Sequence, residues 1–227
     1  MNLPRSILHM IGCAAVLLAP SEGLAVEATL TDDVSIDVSS AVRAHRIPHG
    51  AGPLLSVKGT SQRVGLQFDL ATVLPPTFGG QFKANLRLFV SRVDRPGKIR
   101  VFIFRSGAAW NEDSAPASLA TFKIPARGST GTDSIPEAIS AKPATRAKSF
   151  LDVDVTTLLQ AAAVEPGPVT FLVVGDADTA LTFDSKENMA TSHPASLQIS
   201  VVPNAPAQQD GEIPNPSVTI PIIIPTP

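Results

Sequence analysis

Basic side chains recur at the polar positions of several predicted strands. A guanidinium offers a planar fork of N–H donors that matches a carboxylate. We expect Arg87 and Arg100 to face one another on adjacent strands, where like charges repel, and a polyuronate would relieve that repulsion. The sequence therefore predicts a surface for an anionic polymer, formed beside Gln67 by Arg63, Lys83, Arg87, Arg100 and Arg105. An ordinary solvated sheet face with acidic neighbours is the alternative.

Acidic side chains two residues apart are the best candidates for metal binding. Asp176 and Asp178 flank one residue of a predicted loop, and Ca²⁺ prefers the carboxylate oxygens of such loops. These two residues are predicted to supply calcium ligands, with Asp32, Asp33 or Asp184 nearby. No other cofactor is expected.

Recognisable catalytic motifs are absent from the sequence. It contains no G-x-S-x-G elbow, no H-E-x-x-H helix and no P-loop. His45, His49 and His193 fall in predicted loops. Asp152 and Asp154 share one face of a strand, where they either hold a cation, form an acid–base pair or simply face solvent. We therefore predict that the chain is not an enzyme.

Overall composition narrows the choice of partner. The chain carries 18 Lys and Arg against 20 Asp and Glu, a formal net charge of −2. This balance lacks the positive footprint that binds nucleic acid, so no nucleic-acid partner is expected. Tyr is absent and Trp110 is the single tryptophan, which leaves few of the aromatic rings that suit mixed polar and apolar ligands.

The hydrophobic pattern predicts an all-β fold. Residues 63–76, RVGLQFDLATVLPP, alternate apolar and polar side chains until two prolines stop the strand. Similar runs follow, and IRVFIF at 99–104 is apolar on both faces, as in a sheet covered on both sides. A further strand is predicted at 119–124 and one short helix at 156–163. Together these runs predict an antiparallel β-sandwich.

Three segments of the chain differ in composition. Residues 1–25 have the basic start, apolar run and small residues of a secretory signal peptide. Residues 26–202 form the predicted sandwich, and residues 203–227 are a proline-rich tail that we expect to be disordered. The protein is thus predicted to be extracellular or periplasmic, with no membrane span. Lipoprotein anchoring at Cys13 is the alternative to cleavage near Ala25.

The order of several short motifs resembles the DNRLRE-type domain. These motifs are GLQFDLATVLPP (65–76), ANLRLFV (84–90), IRVFIF (99–104), WNE (110–112), FLDVDVTTLLQ (150–160) and FDSKENMATSHPASLQISV (183–201). The resemblance implies a secreted, jelly-roll-like antiparallel β-sandwich similar to carbohydrate-binding modules. It also implies a core position for Phe68, a packed Trp110, corner or N-cap roles for Asp69 and Asp154, and a loop position for Ser185 and Glu187.

These expectations favour a secreted, non-catalytic module that binds a polysaccharide or another cell-surface polymer, in particular an anionic one. The alternative is a structural or adhesive extracellular protein without a small-molecule ligand. In that case the proline-rich tail would act as a linker or a docking strand.

Overall fold

The structure, a computed structural model, describes residues 25–38, 52–71, 73, 81–104, 109–114, 117–125, 136–162 and 168–202. Residues 1–24 of the predicted signal peptide, the predicted tail, His45, His49 and Arg105 lie outside these ranges. Within them, no helix has the length and apolar character needed to cross a membrane.

Antiparallel strands dominate the described chain, which confirms the all-β prediction. The strands are β1 (Ala25–Asp37), β2 (Leu54–Lys58), β3 (Gln62–Asp69), β4 (Gln81–Arg95), β5 (Ile99–Phe104), β6 (Glu137–Ile139), β7 (Ser149–Asp154), β8 (Pro168–Gly175), β9 (Ala180–Asp184) and β10 (Ser196–Val202). The helices are α1 (Ala117–Thr121), α2 (Thr156–Ala162) and a 3-10 turn at Glu112–Ser114. The helix predicted at 156–163 corresponds to α2.

The strands form a flattened barrel. They pair in the order β1-β10-β4-β9-β2-β3-β8-β5-β6, with β7 on the other edge of β4. Residues 25–28 of β1 pair with β10, and from Thr29 onward the strand pairs with β3, with a register shift between Leu30 and Asp32. β1 therefore closes the barrel between two sides. We call these the β4 layer (β2, β4, β7, β9 and β10) and the β3 layer (β3, β5, β6 and β8).

Alternating side chains from the two layers meet in one core. Phe82 and Leu88 of β4 and Leu66 of β3 are among its buried members. Phe68 is fully buried and meets Phe171 edge to face, with ring centres 5.9 Å apart. Burial of apolar surface stabilises such a core by about 25 cal/mol per Å². The core position implied for Phe68 is confirmed.

Two aspartates end their strands as the resemblance implied. The Oδ1 atom of Asp69 accepts a hydrogen bond of 2.9 Å from the amide of Ala71. In the same way, Oδ1 of Asp154 accepts one of 2.9 Å from the amide of Thr156, where α2 begins. Each carboxylate satisfies a backbone donor that the turning chain leaves without a strand or helix partner.

A separate piece of chain covers the outer face of the β3 layer. This covering segment, residues 109–114 and 117–125, buries a second apolar cluster against the sheet: Val34, Ile36, Phe102, Trp110, Leu119, Leu172 and Val174. Gly65 permits the close approach, because a Cβ there would lie 3.2 Å from Val34 and 3.4 Å from Leu119. The covering segment explains why β5 is apolar on both faces.

The prediction of a strand at residues 119–124 is wrong. Residues 117–121 form α1, and the chain then runs on without strand pairing to residue 125. The two edges of β5 are occupied by β8 and by β6, a short strand that the sequence did not reveal. No edge of β5 is left for residues 119–124 to join, so their apolar side chains pack onto the sheet face instead.

Gln67 fastens the covering segment to the sheet. Its Nε2 donates a hydrogen bond of 2.9 Å to the Trp110 carbonyl, and its Oε1 accepts one of 3.1 Å from the Trp110 amide. The indole Nε1 of Trp110 donates to the Thr170 hydroxyl at 2.9 Å. Since Gln67 is almost fully buried, its removal would leave both backbone groups of Trp110 without these partners.

We expect Gln67→Ala to lower the free energy of unfolding by about 1–3 kcal/mol, the range for leaving buried polar groups unsatisfied. Emission from Trp110, the single tryptophan, should shift to the red as the covering segment loosens. Urea denaturation followed by circular dichroism and fluorescence measures both effects.

Gln198→Ala is the matched control, because Gln198 lies half-buried on β10 and should change stability by only about 0.5 kcal/mol. Equal effects of the two substitutions would contradict the fastening role of Gln67.

Candidate functional site

The predicted basic residues do not share one surface. Lys83 and Arg87 lie on the outer face of the β4 layer, between the buried residues of that strand. Arg63 and Arg100 lie on the outer face of the β3 layer and are only 8% and 6% exposed. β4 and β5 are not neighbours, so the expectation that Arg87 and Arg100 face one another is wrong. Arg105 lies outside the described residues.

The two buried arginines hold the covering segment. Nη1 of Arg63 donates to the Phe122 carbonyl at 2.7 Å, and Nη2 of Arg100 donates to the Pro125 carbonyl at 2.9 Å. Arg100 also pairs with Glu137 through Nε at 2.5 Å. Burial lowers the pKa of Arg63. Alternation correctly placed these residues away from the core, but it could not show that another segment covers that face.

The outer face of the β4 layer carries a cluster of rings. Register pairs Phe89 of β4 with Phe150 of β7, and Arg87 with Asp152. His193, just before β10, completes the group, and Phe150 is 42% exposed. We call Arg87, Phe89, Phe150 and His193 the aromatic platform. Two adjacent strands and the chain leading into a third therefore position these side chains.

The rings of the aromatic platform stack tightly. The imidazole of His193 lies parallel to Phe89 at a centre distance of 4.2 Å, and Phe150 meets Phe89 edge to face at 5.2 Å. The Arg87 guanidinium carbon lies 4.0 Å above the Phe150 ring centre, a cation–π contact. These contacts restrain Phe150 while leaving much of its ring in solvent.

Polar groups border the rings. Nε of Arg87 lies 3.7 Å from Oδ1 of Asp152, which accepts a hydrogen bond of 3.1 Å from Asn85. Among the described residues, Nε of Arg87 has no hydrogen-bond partner. Nδ1 of His193 lies 3.8 Å from the buried carboxylate of Asp184. The aromatic platform thus presents an exposed ring beside a guanidinium whose charge Asp152 offsets only in part.

A basic loop adjoins the aromatic platform. Residues 141–146, with parts of β4 and β7, line a surface pocket of about 460 Å³ that reaches Phe150 and Asp152. Lys142 and Arg146 are exposed in this loop. In the part of the chain that the structure describes, neither has a carboxylate within 4.0 Å. Their charges are available to an anionic ligand.

Comparison with protein families identifies the family of the chain. A model of carbohydrate-binding module family 96 matches residues 39–200. The chain belongs to carbohydrate-binding module family 96. A comparison with curated proteins gives no match. The prediction of a carbohydrate-binding family is confirmed, whereas the DNRLRE-type label stays a prediction.

The sequence of this family 96 module contains a signal for the aromatic platform that alternation alone reveals. In FLDVDV (150–155), the buried residues are Leu151 and Val153, so alternation places Phe150 with the outward aspartates. The same parity puts Phe89 on the side of Lys83 and Arg87. Two paired strands that each carry an aromatic ring at an outward position indicate a surface site. The total number of aromatic residues in the chain is a poorer guide.

Away from its aromatic platform, the family 96 module gathers acidic groups around one lysine. Oxygens of Asp33, Glu112 and Glu187 lie within 4.8 Å of one another. Nζ of Lys186 lies 2.7 Å from Glu112 and 3.6 Å from Glu187, and it donates to the Thr31 carbonyl at 2.6 Å. The Lys186 ammonium supplies the positive charge that these carboxylates need. The cluster therefore links the covering segment to the loop before β10.

The aspartates predicted to bind calcium lie elsewhere. Asp176 and Asp178 are in the turn between β8 and β9, whereas Asp184 lies at the opposite end of β9. Asp32 and Asp33 lie near Lys186, in the acidic cluster. The structure does not bring these five residues together, and calcium binding at Asp176 and Asp178 stays a prediction.

Asp33 is the most perturbed carboxyl of the acidic cluster. Burial raises its pKa to about 7, although the Lys186 amide donates to it at 2.8 Å and the Ser185 hydroxyl at 3.0 Å. The negative charges of Glu187 and Glu112 raise the pKa further. The folded state therefore binds a proton at Asp33 more tightly than the unfolded chain does.

We expect a pH-dependent loss of stability from Asp33. Its contribution is complete below the ordinary carboxyl range near pH ~4 and is lost as the pH rises through about 7. Urea midpoints measured across this window should fall in the wild type and fall less in Asp33→Asn. An Asp33 carboxyl signal that titrates near pH ~4 in carbon-detected NMR would refute the raised pKa.

Proposed function

We propose that this family 96 module binds an acidic polysaccharide on the outer face of the β4 layer, without catalysing its cleavage. The observation that carries the proposal is the aromatic platform, in which Phe150 is 42% exposed and is held by an edge-to-face contact with Phe89 and by the Arg87 guanidinium. An exposed aromatic ring that its neighbours already hold loses little conformational entropy when a ligand covers it.

Sugar rings present both apolar C–H faces and hydroxyl groups. The exposed ring of Phe150 can cover an apolar face through dispersion and burial. Arg87, Asn85 and Asp152 lie beside it with donors and acceptors for hydroxyl groups. The combination of one apolar surface and a few fixed polar groups is typical of small-ligand sites.

The charges around the aromatic platform favour an acidic glycan. Lys142 and Arg146 are exposed beside it, and Arg87 lies within it. Asp152 offsets part of the Arg87 charge at 3.7 Å, but the loop charges have no such partner among the described residues. Guanidinium groups match carboxylates in geometry and in charge, which supports a uronate polymer.

Two further parts of the proposal rest on other grounds. Membership of a carbohydrate-binding module family supports a non-catalytic role. The leader-like pattern of residues 1–25 supports secretion. Both agree with a protein that meets polysaccharide outside the cytoplasm.

Replacement of the exposed ring tests the aromatic platform directly. We expect Phe150→Ala to weaken binding of a polyuronate about tenfold, because an aromatic contact is worth about 0.5–1.5 kcal/mol beyond burial. Isothermal titration against alginate or pectin fragments, with and without Ca²⁺, measures the change.

Met189→Ala is the matched control, since Met189 is also an exposed apolar side chain, at 88%, and is not one of the four residues of the aromatic platform. Equal affinities for wild type and Phe150→Ala would place the glycan elsewhere. If the folded protein shows no saturable binding to any glycan on an array, the proposal is refuted.

Charge removal tests the acidic preference. We expect Arg87→Ala to reduce affinity for the uronate polymer more than for a neutral polysaccharide, and to flatten the decline of affinity with added salt. Titrations at low and high salt with both polymers measure this difference. A wild-type affinity that does not respond to salt would contradict the acidic preference.

A further inference from the structure

A second pocket lies on the other side of the barrel. It has a volume of about 670 Å³ and opens between the outer face of the β3 layer and the covering segment. Its lining comprises Val38, Thr60, Arg63, Arg100 and residues 120–125. None of these residues belongs to the aromatic platform, which occupies the β4 layer.

The lining of this pocket is strongly biased in charge. Arg63, Arg100 and Lys123 are cationic, and no acidic side chain is among the lining residues. Glu137 pairs with Arg100 through Nε but does not line the pocket. The positive charges of Arg63 and Lys123 remain.

Arg63 is the unusual member of this group. It is more than nine-tenths buried, with 8% of its surface exposed. Its hydrogen bonds within the described chain all go to backbone carbonyls: Thr60 at 3.1 Å, Phe122 at 2.7 Å, Leu119 at 3.4 Å and Ala120 at 3.5 Å. No carboxylate of the described residues pairs with it.

A buried charge without a counter-ion is costly. Carbonyl dipoles offset part of the desolvation of a guanidinium, but buried charges are normally paired with an opposite charge. The lowered pKa of Arg63, caused by burial, agrees with a site that lacks negative charge. An anion entering the pocket would supply the missing counter-charge, and the guanidinium is a good partner for an oxyanion.

We propose that the pocket formed by Arg63, Arg100, Lys123 and Thr60 binds an oxyanion, namely a carboxylate or sulfate group. Arg63 provides a buried positive charge, Arg100 a second guanidinium, and Lys123 an exposed positive charge in the lining. Thr60 adds a hydroxyl group to the lining. The proposal does not rest on glycan binding by the β4 layer.

Two sources present this chemistry: a free small anion, and an acidic group on a glycan chain. The open pocket admits both, and the covering segment would be braced by either, because Arg63 already contacts its carbonyls. An anion at Arg63 would therefore join the β3 layer and the covering segment through one shared guanidinium.

The test follows the arginine side-chain Nε–H signals of the full chain by NMR. Separate titrations use sodium sulfate, sodium glucuronate and a polyuronate oligosaccharide, with ionic strength held constant by chloride. We expect a saturable shift of the Arg63 signal. A shift with sulfate identifies free oxyanions as ligands, and a shift with the oligosaccharide alone identifies a glycan chain as the source.

Exposed lysines provide variants that should fold normally. We expect Lys123→Gln to lower the affinity for the anion, as reported by the Arg63 signal, about fivefold. This is the factor that one charge about 4 Å away provides in water. Lys148→Gln removes the same charge at an exposed position that does not line the pocket and whose amide bonds the Val90 carbonyl of the β4 layer, so it should leave the affinity unchanged. Equal affinities in Lys123→Gln and the wild type would overturn the proposal.

Arg63 itself is tested with a check on folding. We expect Arg63→Gln to abolish the anion-induced shift of the Arg100 signal. Trp110 emission reports whether the covering segment remains docked. If the variant unfolds that segment, Arg63→Lys, which keeps the charge but loses the fork, should weaken rather than abolish binding. Absence of a saturable shift of Arg63 with all three probes would leave it a purely structural residue.

Discussion

The pair of hydrogen bonds between the Gln67 amide and the backbone of Trp110 is the constraint on which the outer structure depends. Because of this pair, the outer face of the β3 layer forms one side of the second, smaller apolar cluster. With Trp110 fixed, Leu119 reaches Gly65, and the chain beyond α1 meets the two buried arginines. The β3 layer therefore has apolar contacts on both faces, although β3 alternates like a strand that faces solvent.

The barrel consequently presents two different outer faces. The β4 layer keeps rings and charges in solvent, with Phe150 as its most exposed ring. The β3 layer directs its cations at carbonyls of the covering segment, where each makes short hydrogen bonds. One barrel thus has one outer face with an exposed aromatic ring and another on which the covering segment encloses cationic side chains.

Much of this architecture was readable in the sequence because alternation reports directly on burial. It placed Phe68 on the buried face of its strand, and the family resemblance added the strand-ending role of Asp154. Alternation says only which residues avoid the core, so it could not distinguish the buried Arg63 from the exposed Lys83. That difference arises from the covering segment, in which residues 119–124 have the local pattern of a strand. The partner of Phe150 depends on the register between β4 and β7, which no single stretch of sequence contains.

The pairing of β1 with β10 also has a mechanical meaning. Ala25 lies opposite Ser200, and the two strands run antiparallel, so the chain enters and leaves the barrel at the same end. Tension applied through flanking residues would open these hydrogen bonds one pair after another, as in a zipper, rather than shear them together. The remainder of β1, held along β3 from Thr29 onward, would then be the point at which this opening stops.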